Sequence, residues 1–120
     1  RVSDSGVEFG IFVSNKHLNS MQICHGGVLM ILADITAASG VNFSMGKKSG
    51  SPTINLSLDF VSPAKVDTWI ESRAELVSIR KRFGFSSGKI ISENNLIARF
   101  NGTFYLPDDS DASPKVKFEV

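Results

Sequence analysis

Asn19, the run His25-Gly26-Gly27 and Asp34 are the residues whose types and spacing could carry a reaction. Two glycines at the start of a helix leave backbone N–H groups unpaired at the positive end of the helix dipole, with no side chain to keep a ligand away. Such a terminus can polarise a carbonyl and hold the oxyanion that develops on it. A carboxylate can then attack the carbonyl carbon, or act as general base on a water that does. Each residue also has a plain structural reading. His25 can cap the helix, Asn19 can close a turn, Asp34 can be a buried structural acid, and the glycines can allow close helix packing. Cys24 beside His25 is no nucleophile–base pair, because helix neighbours diverge; it reads as a packed core cysteine. His17 reads as a solvated loop residue.

The element that must position these groups is one helix. Val28 to Gly40 is rich in helix formers, lacks proline and is flanked by Gly26-Gly27 and Gly40. It is apolar nearly all round, so it is expected to be buried on most sides. Asp34 is its only charge, and an unpaired buried carboxylate is costly, so Asp34 must be paired, hydrogen-bonded or facing a cleft.

Around the helix the pattern has period two. Val7, Phe9, Ile11 and Val13 make a first strand after a polar opening, Arg1 to Gly6, and Asn15 to Ser20 a turn. After the loop from Met45 to Ser51, Ile54, Leu56, Leu58 and Phe60 share one face of a strand, and Thr53, Asn55, Ser57 and Asp59 the other. Ser62-Pro63-Ala64-Lys65 breaks it. Val66 to Ile79 is a longer strand with Val66, Thr68, Ile70, Ser72, Ala74 and Leu76 on one face; the phase then slips to Val77 and Ile79, which predicts a bulge. Phe83 to Ser92, a Glu93-Asn94-Asn95 turn and a last strand follow, the last with Leu96, Ala98, Phe100, Gly102, Phe104 and Leu106 inward. Pro107 to Asp111 ends it, and Lys115 to Val120 is a tail or short edge strand. The organisation predicted is strand, helix, then a four-stranded antiparallel meander curled round the helix, an α+β fold in one domain, 1–120.

Composition narrows the function classes. Among 120 residues, 42% are hydrophobic and 21% charged, as in an ordinary globular chain. Thirteen Lys+Arg against twelve Asp+Glu give a net charge of +1, which argues against nucleic acid as partner. A single cysteine excludes an internal disulfide and a cysteine-cluster metal site, and fits a reducing, cytoplasmic setting. The chain starts at Arg1, no signal peptide is read there, and the longest apolar run, Val28 to Ala33, is too short to span a bilayer.

The chain resembles the hotdog-fold acyl-CoA thioesterases, in particular the phenylacetate-pathway, PaaI-like family. The resemblance runs from about Phe9 to Leu106. It is carried by Asn19 six residues before His25, by His25-Gly26-Gly27, by Asp34 nine residues after His25, and by the strands opening at Thr53 and including Ser62-Pro63-Ala64. It implies an antiparallel curved sheet wrapped round one central helix, and hydrolysis of an acyl-CoA to the free acid and coenzyme A. Coenzyme A is then part of the substrate; its thiolate leaves readily, so neither cofactor nor metal is called for. Asp34, Gly26, Gly27, Asn19 and His25 become the candidate catalytic residues, with the oxyanion donor either Gly26 or Gly27. Thr53 and the basic cluster Arg80-Lys81-Arg82 become candidate substrate-binding residues, the cluster for coenzyme A phosphates if it is not merely a solvated turn. Phe12, Phe43, Met45 and Phe83 are equally pocket and core candidates. The sequence departs from the family at Ser20-Met21-Gln22-Ile23, where members often carry a glycine, and in the family's N-terminal helix, which is absent or cut off.

Residues 25 and 34 point about 180° apart and lie roughly 13 Å apart along a helix. Asp34 therefore cannot serve the oxyanion site of its own helix, which predicts a homodimer with sites at the subunit interface, as the resemblance also implies; it further implies a dimer-of-dimers tetramer. Two other readings stay open: a non-catalytic acyl-CoA-binding module, and a hotdog enoyl-CoA hydratase, which would want an acid and a histidine close together.

Overall fold

A computed structural model of the chain describes residues 2–3, 6–46 and 50–107. The elements are β1 (Val2–Ser3), β2 (Gly6–Phe12), a 3-10 turn (Asn15–His17), α1 (Gly26–Met45), β3 (Thr53–Phe60), β4 (Trp69–Arg80), β5 (Phe83–Ser92) and β6 (Asn95–Tyr105). All neighbours pair antiparallel, in the order β1-β2-β4-β5-β6-β3. The predicted α+β fold, an antiparallel curved sheet with one long helix, is present. The tail from Lys115 to Val120 lies outside the described residues.

The four-stranded meander is corrected. Of the four strands predicted to form it, only β4, β5 and β6 are joined by tight turns; β3 pairs with β6 at the far edge, not with β4. Residues 61–68 are too long and too irregular for a hairpin. They cross the end of the sheet, tied down by Val61 N–H to Ile97 O at 2.9 Å, Cys24 N–H to Ala64 O at 2.8 Å and Asp67 N–H to Val13 O at 2.8 Å. Asp67 takes a left-handed φ of 61°, so β4 begins at Trp69 rather than Val66.

Three bulges set which side chains face the helix. The predicted one falls between Ala74 and Leu76. It keeps Val77 and Ile79 half-buried but turns Leu76, expected inward, out to solvent. A second, between Ile90 and Ile91 of β5 opposite β6, reverses the expected phase of Leu96, which is exposed while Ile97 is buried. The third lies at Ile54: Thr53 pairs with buried Phe104 and Asn55 with Thr103, so Thr53 joins the inward face of Leu56 and Leu58 instead of the outward one. A bulge inserts one residue, and one residue inverts a period of two.

The helix runs through Gly40, where a Cβ would sit 2.9 Å from Ala74 Cβ, and stops at Gly46, whose φ of 62° suits glycine. Its twenty residues are long and apolar enough to cross a bilayer by composition alone, but one face is the core of the fold. Leu29, Leu32, Ala33, Ala37 and Val41 pack against Ile70, Ile90, Ala98, Phe100 and Phe104. The expectation of burial on most sides is corrected: Met30, Ile31 (64% exposed), Ile35, Phe43 and Met45 stay open to solvent. One chain supplies one sheet, and a sheet covers one face of a helix.

Candidate active site

His25 is the N-cap of α1. Its backbone is extended and its Nδ1 accepts the Gly27 N–H at 2.9 Å. The backbone N–H of His25 is in turn bonded to His17 O at 2.7 Å. An accepting Nδ1 carries no proton, so the neutral ring has its proton on Nε2, as a donor facing outward. This bond separates the two glycines. Gly27 N–H is taken, whereas Gly26 N–H has no partner among the described residues.

Asn19 builds the approach to the helix. Its Oδ1 accepts the N–H of Met21 at 2.9 Å and of Ile23 at 3.4 Å, and its N–H donates to Ile23 O at 2.9 Å. Gln22 turns the chain with a φ of 61°. The turn role is thus real, and it leaves the Asn19 Nδ2 as the free donor of that side chain. His17 is not a solvated loop residue. It is half-buried, and its Nδ1 accepts the Ser14 N–H at 3.0 Å. Cys24 is buried, and burial pushes its thiol pKa up, against any nucleophilic role.

Asp34 is half-buried, and its Oδ1 accepts the Thr53 hydroxyl at 2.6 Å. Of the possibilities open to a lone acid in an apolar helix, the fold uses a hydrogen bond at a surface that is partly open. The other carboxylate oxygen is free to face a ligand. Gly26 and Asp34 are two helical turns and more apart, about 12 Å along the axis, so one chain does not bring them together.

Arg80, Lys81 and Arg82 form the exposed β4–β5 turn, with Lys81 at a left-handed φ of 55°. Arg82 Nη1 donates to Tyr105 Oη at 3.0 Å. This turn lies at the Thr53 end of β3, because Thr53 and Gly84 flank Phe104 from opposite sides. The four pocket candidates are scattered. Phe12 pairs with Trp69 at one end of β4, Phe83 pairs with Arg80 at the other, and Phe43 and Met45 end α1. The aromatic residue at the helix start is Phe60, which the sequence places only on a shared strand face with Ile54, Leu56 and Leu58. A Cβ on Gly26 would lie 3.4 Å from Cε1 and Cζ of its ring. Its period-two position on β3 was legible; its seat beside Gly26 was not. Two shallow concavities of about 380 and 410 Å³ lie on the outer face of the sheet, around Leu76, Ser87 and Asn101, and neither includes Asp34 or Gly26. Among the described residues no three His, Cys, Asp or Glu side chains converge as metal ligands.

Residues 21–98 match a family model described as Thioesterase superfamily. A Pseudomonas aeruginosa protein named "Putative esterase" is 33% identical over 95 residues, 79% of this chain and 71% of its own length. Among solved structures, a phenylacetic acid degradation protein, PaaI, from Thermus thermophilus superposes with a TM-score of 0.75 at 23% identity, over 89% of this chain and 90% of that one. A Streptococcus pneumoniae protein described as a hypothetical thioesterase with coenzyme A superposes with a TM-score of 0.78 at 22% identity, over 88% of this chain and 83% of that one. At these identities the two superpositions speak for the hotdog fold.

Proposed function

Because this chain belongs to the thioesterase superfamily, we propose that it hydrolyses acyl-CoA thioesters at sites shared between two copies of itself. One observation carries the proposal: a single chain holds both halves of a thioester-cleaving site, an open Gly26 N–H at a helix start and a Thr53-bound Asp34 carboxylate, and holds them too far apart to act together.

Two features of the fold fit a twofold partner. The outer edge of β3 has no strand beside it among the described residues, and the helix leaves Met30, Ile31 and Ile35 exposed. Pairing two β3 edges antiparallel about Leu56 and Ser57 sets Thr53 of one copy opposite Phe60 of the other. That brings Asp34 of one copy to the Gly26 helix start of the other.

In this site the thioester carbonyl oxygen accepts the Gly26 N–H and draws on the helix dipole as it becomes an oxyanion. Asn19 Nδ2 and the outward Nε2–H of His25 orient the reacting groups. The partner's Asp34 either takes a proton from the attacking water or attacks the carbonyl carbon itself. The tetrahedral intermediate collapses with the coenzyme A thiolate as leaving group. Water attack gives the free acid directly, and the proton held by Asp34 passes to the thiolate. Attack by Asp34 instead leaves an acyl–Asp34 anhydride, which a water then hydrolyses to the acid and the free carboxylate. Neither route calls for a metal or cofactor. Arg80, Lys81 and Arg82 meet the coenzyme A phosphates. A hydratase dyad is disfavoured, because His25 is bonded to Gly27 and Asp34 to Thr53. An acyl-CoA substrate and the unpaired Cys24 support a cytoplasmic setting. The test is thiol release from aryl, short-chain and long-chain acyl-CoA thioesters. Turnover of one class that is lost in Asp34→Asn supports hydrolysis, and binding without release on every substrate would make the chain a carrier module instead.

A further inference from the structure

We propose that the Phe60 ring is the wall of the acyl pocket, and that it selects flat aryl and short acyl groups over long chains. The inference rests on the thioesterase reading above and deepens it. Phe60 lies on the inward face of β3, paired with buried Ala98, yet it is 55% exposed. Its ring faces the side of Gly26, whose N–H is the open donor at the helix start. Beyond it the backbone is fixed, with Val61 and Ser62 N–H both bonded to Ile97 O. The ring is therefore an apolar surface on an anchored stretch of backbone, beside the open Gly26 N–H proposed to receive the thioester carbonyl.

The direction of the substrate decides which part of it meets the ring. Within one copy the basic turn lies at the Thr53 end of β3 and Phe60 at the other end. The twofold arrangement therefore sets the turn of one copy and Phe60 of the other at the same end, with Phe60 one strand further from the turn than Thr53. In the twofold arrangement the nucleotide enters from the side of Thr53 and Arg80 to Arg82 of one copy, and the thioester reaches Gly26 of the other. The acyl group continues across the sheet, away from the nucleotide, onto Phe60 of that second copy. A ring there shortens the space along the helix start and offers a face for an aryl group to pack on. Discrimination of about tenfold to two-hundredfold per methylene is within reach of such a wall.

The test uses the full chain and three substrates, benzoyl-, butyryl- and decanoyl-CoA, with kcat/KM read by thiol release. Phe60→Ala is expected to lower the benzoyl-to-decanoyl ratio at least fivefold. Phe60→Leu, which keeps an apolar side chain of similar bulk but loses the flat ring, is expected to move it the same way, and covers the case in which Phe60→Ala fails to fold. Phe60→Tyr should keep the wild-type ratio. A ratio that moves less than fivefold in the folded variants overturns the proposal, as does an equal fall on all three substrates, which would put the ring on the pantetheine arm. A wild-type chain inactive on all three overturns the hydrolase reading itself, an outcome separable from a failure of the ring alone.

Discussion

Thr53 donates its hydroxyl hydrogen to Asp34 Oδ1 at 2.6 Å, across nineteen residues of sequence and between the edge strand and the helix. The bond fixes one carboxylate oxygen and leaves the other for a water or a carbonyl carbon. The bond lets Thr53 position the acid, a role separate from the substrate contact expected from the sequence.

Asp34→Asn is expected to lower kcat about 10²-fold or more with the fold intact, since the amide is nearly isosteric but takes no proton. Near-wild-type turnover of the purified variant would make Asp34 structural.

Thr53→Val should lower kcat while KM changes little, because the hydroxyl acts through the acid and not on coenzyme A. Thr53→Ser should restore most of the loss, since it keeps the donor. A KM rise without a kcat fall in steady-state assays would return Thr53 to substrate binding.

Composite sites predict rescue between two inactive chains. Asn19→Asp keeps the Oδ1 acceptor that closes the 19–23 turn but removes the Nδ2 donor. Mixed with Asp34→Asn, random pairing makes half the dimers mixed, each with one intact site of two, so activity should return to about a quarter of wild type. Tag pull-down confirms the mixed dimers; if these are present and silent, each site is built within one chain.

Neutralising Arg80, Lys81 and Arg82 together should raise KM for acyl-CoA more than it lowers kcat, because phosphate contacts are equally strong in the ground and transition states. The salt dependence of kcat/KM should flatten. An unchanged KM at low salt would leave the cluster a solvated turn.

His25→Ala should cost about 1 kcal/mol of stability, the ordinary value of a lost helix cap, and His25→Asn should recover most of it in denaturant melts. Equal losses in both would mean that the Gly27 N–H does not depend on that acceptor.

The sequence by itself determined the local features: a helix started by His25-Gly26-Gly27, one acid inside it at Asp34, and strands of period two on either side. These follow from backbone preference and hydrophobic spacing, which act between near neighbours. It also showed that His25 and Asp34 could not meet on one helix, because helical rise and twist are the same in every chain. Only the tertiary structure decided which glycine stays open, since that depended on where the His25 ring folds back. Only it carried β3 to the far edge beside β6, because residues 61–68 cross the sheet rather than turn. The bulge at Ile54 then turned Thr53 from the outward face to Asp34, and the end of β3 set Phe60 against Gly26. Bulges and edge positions arise from pairing between distant strands, and a single inserted residue reverses every side chain beyond it.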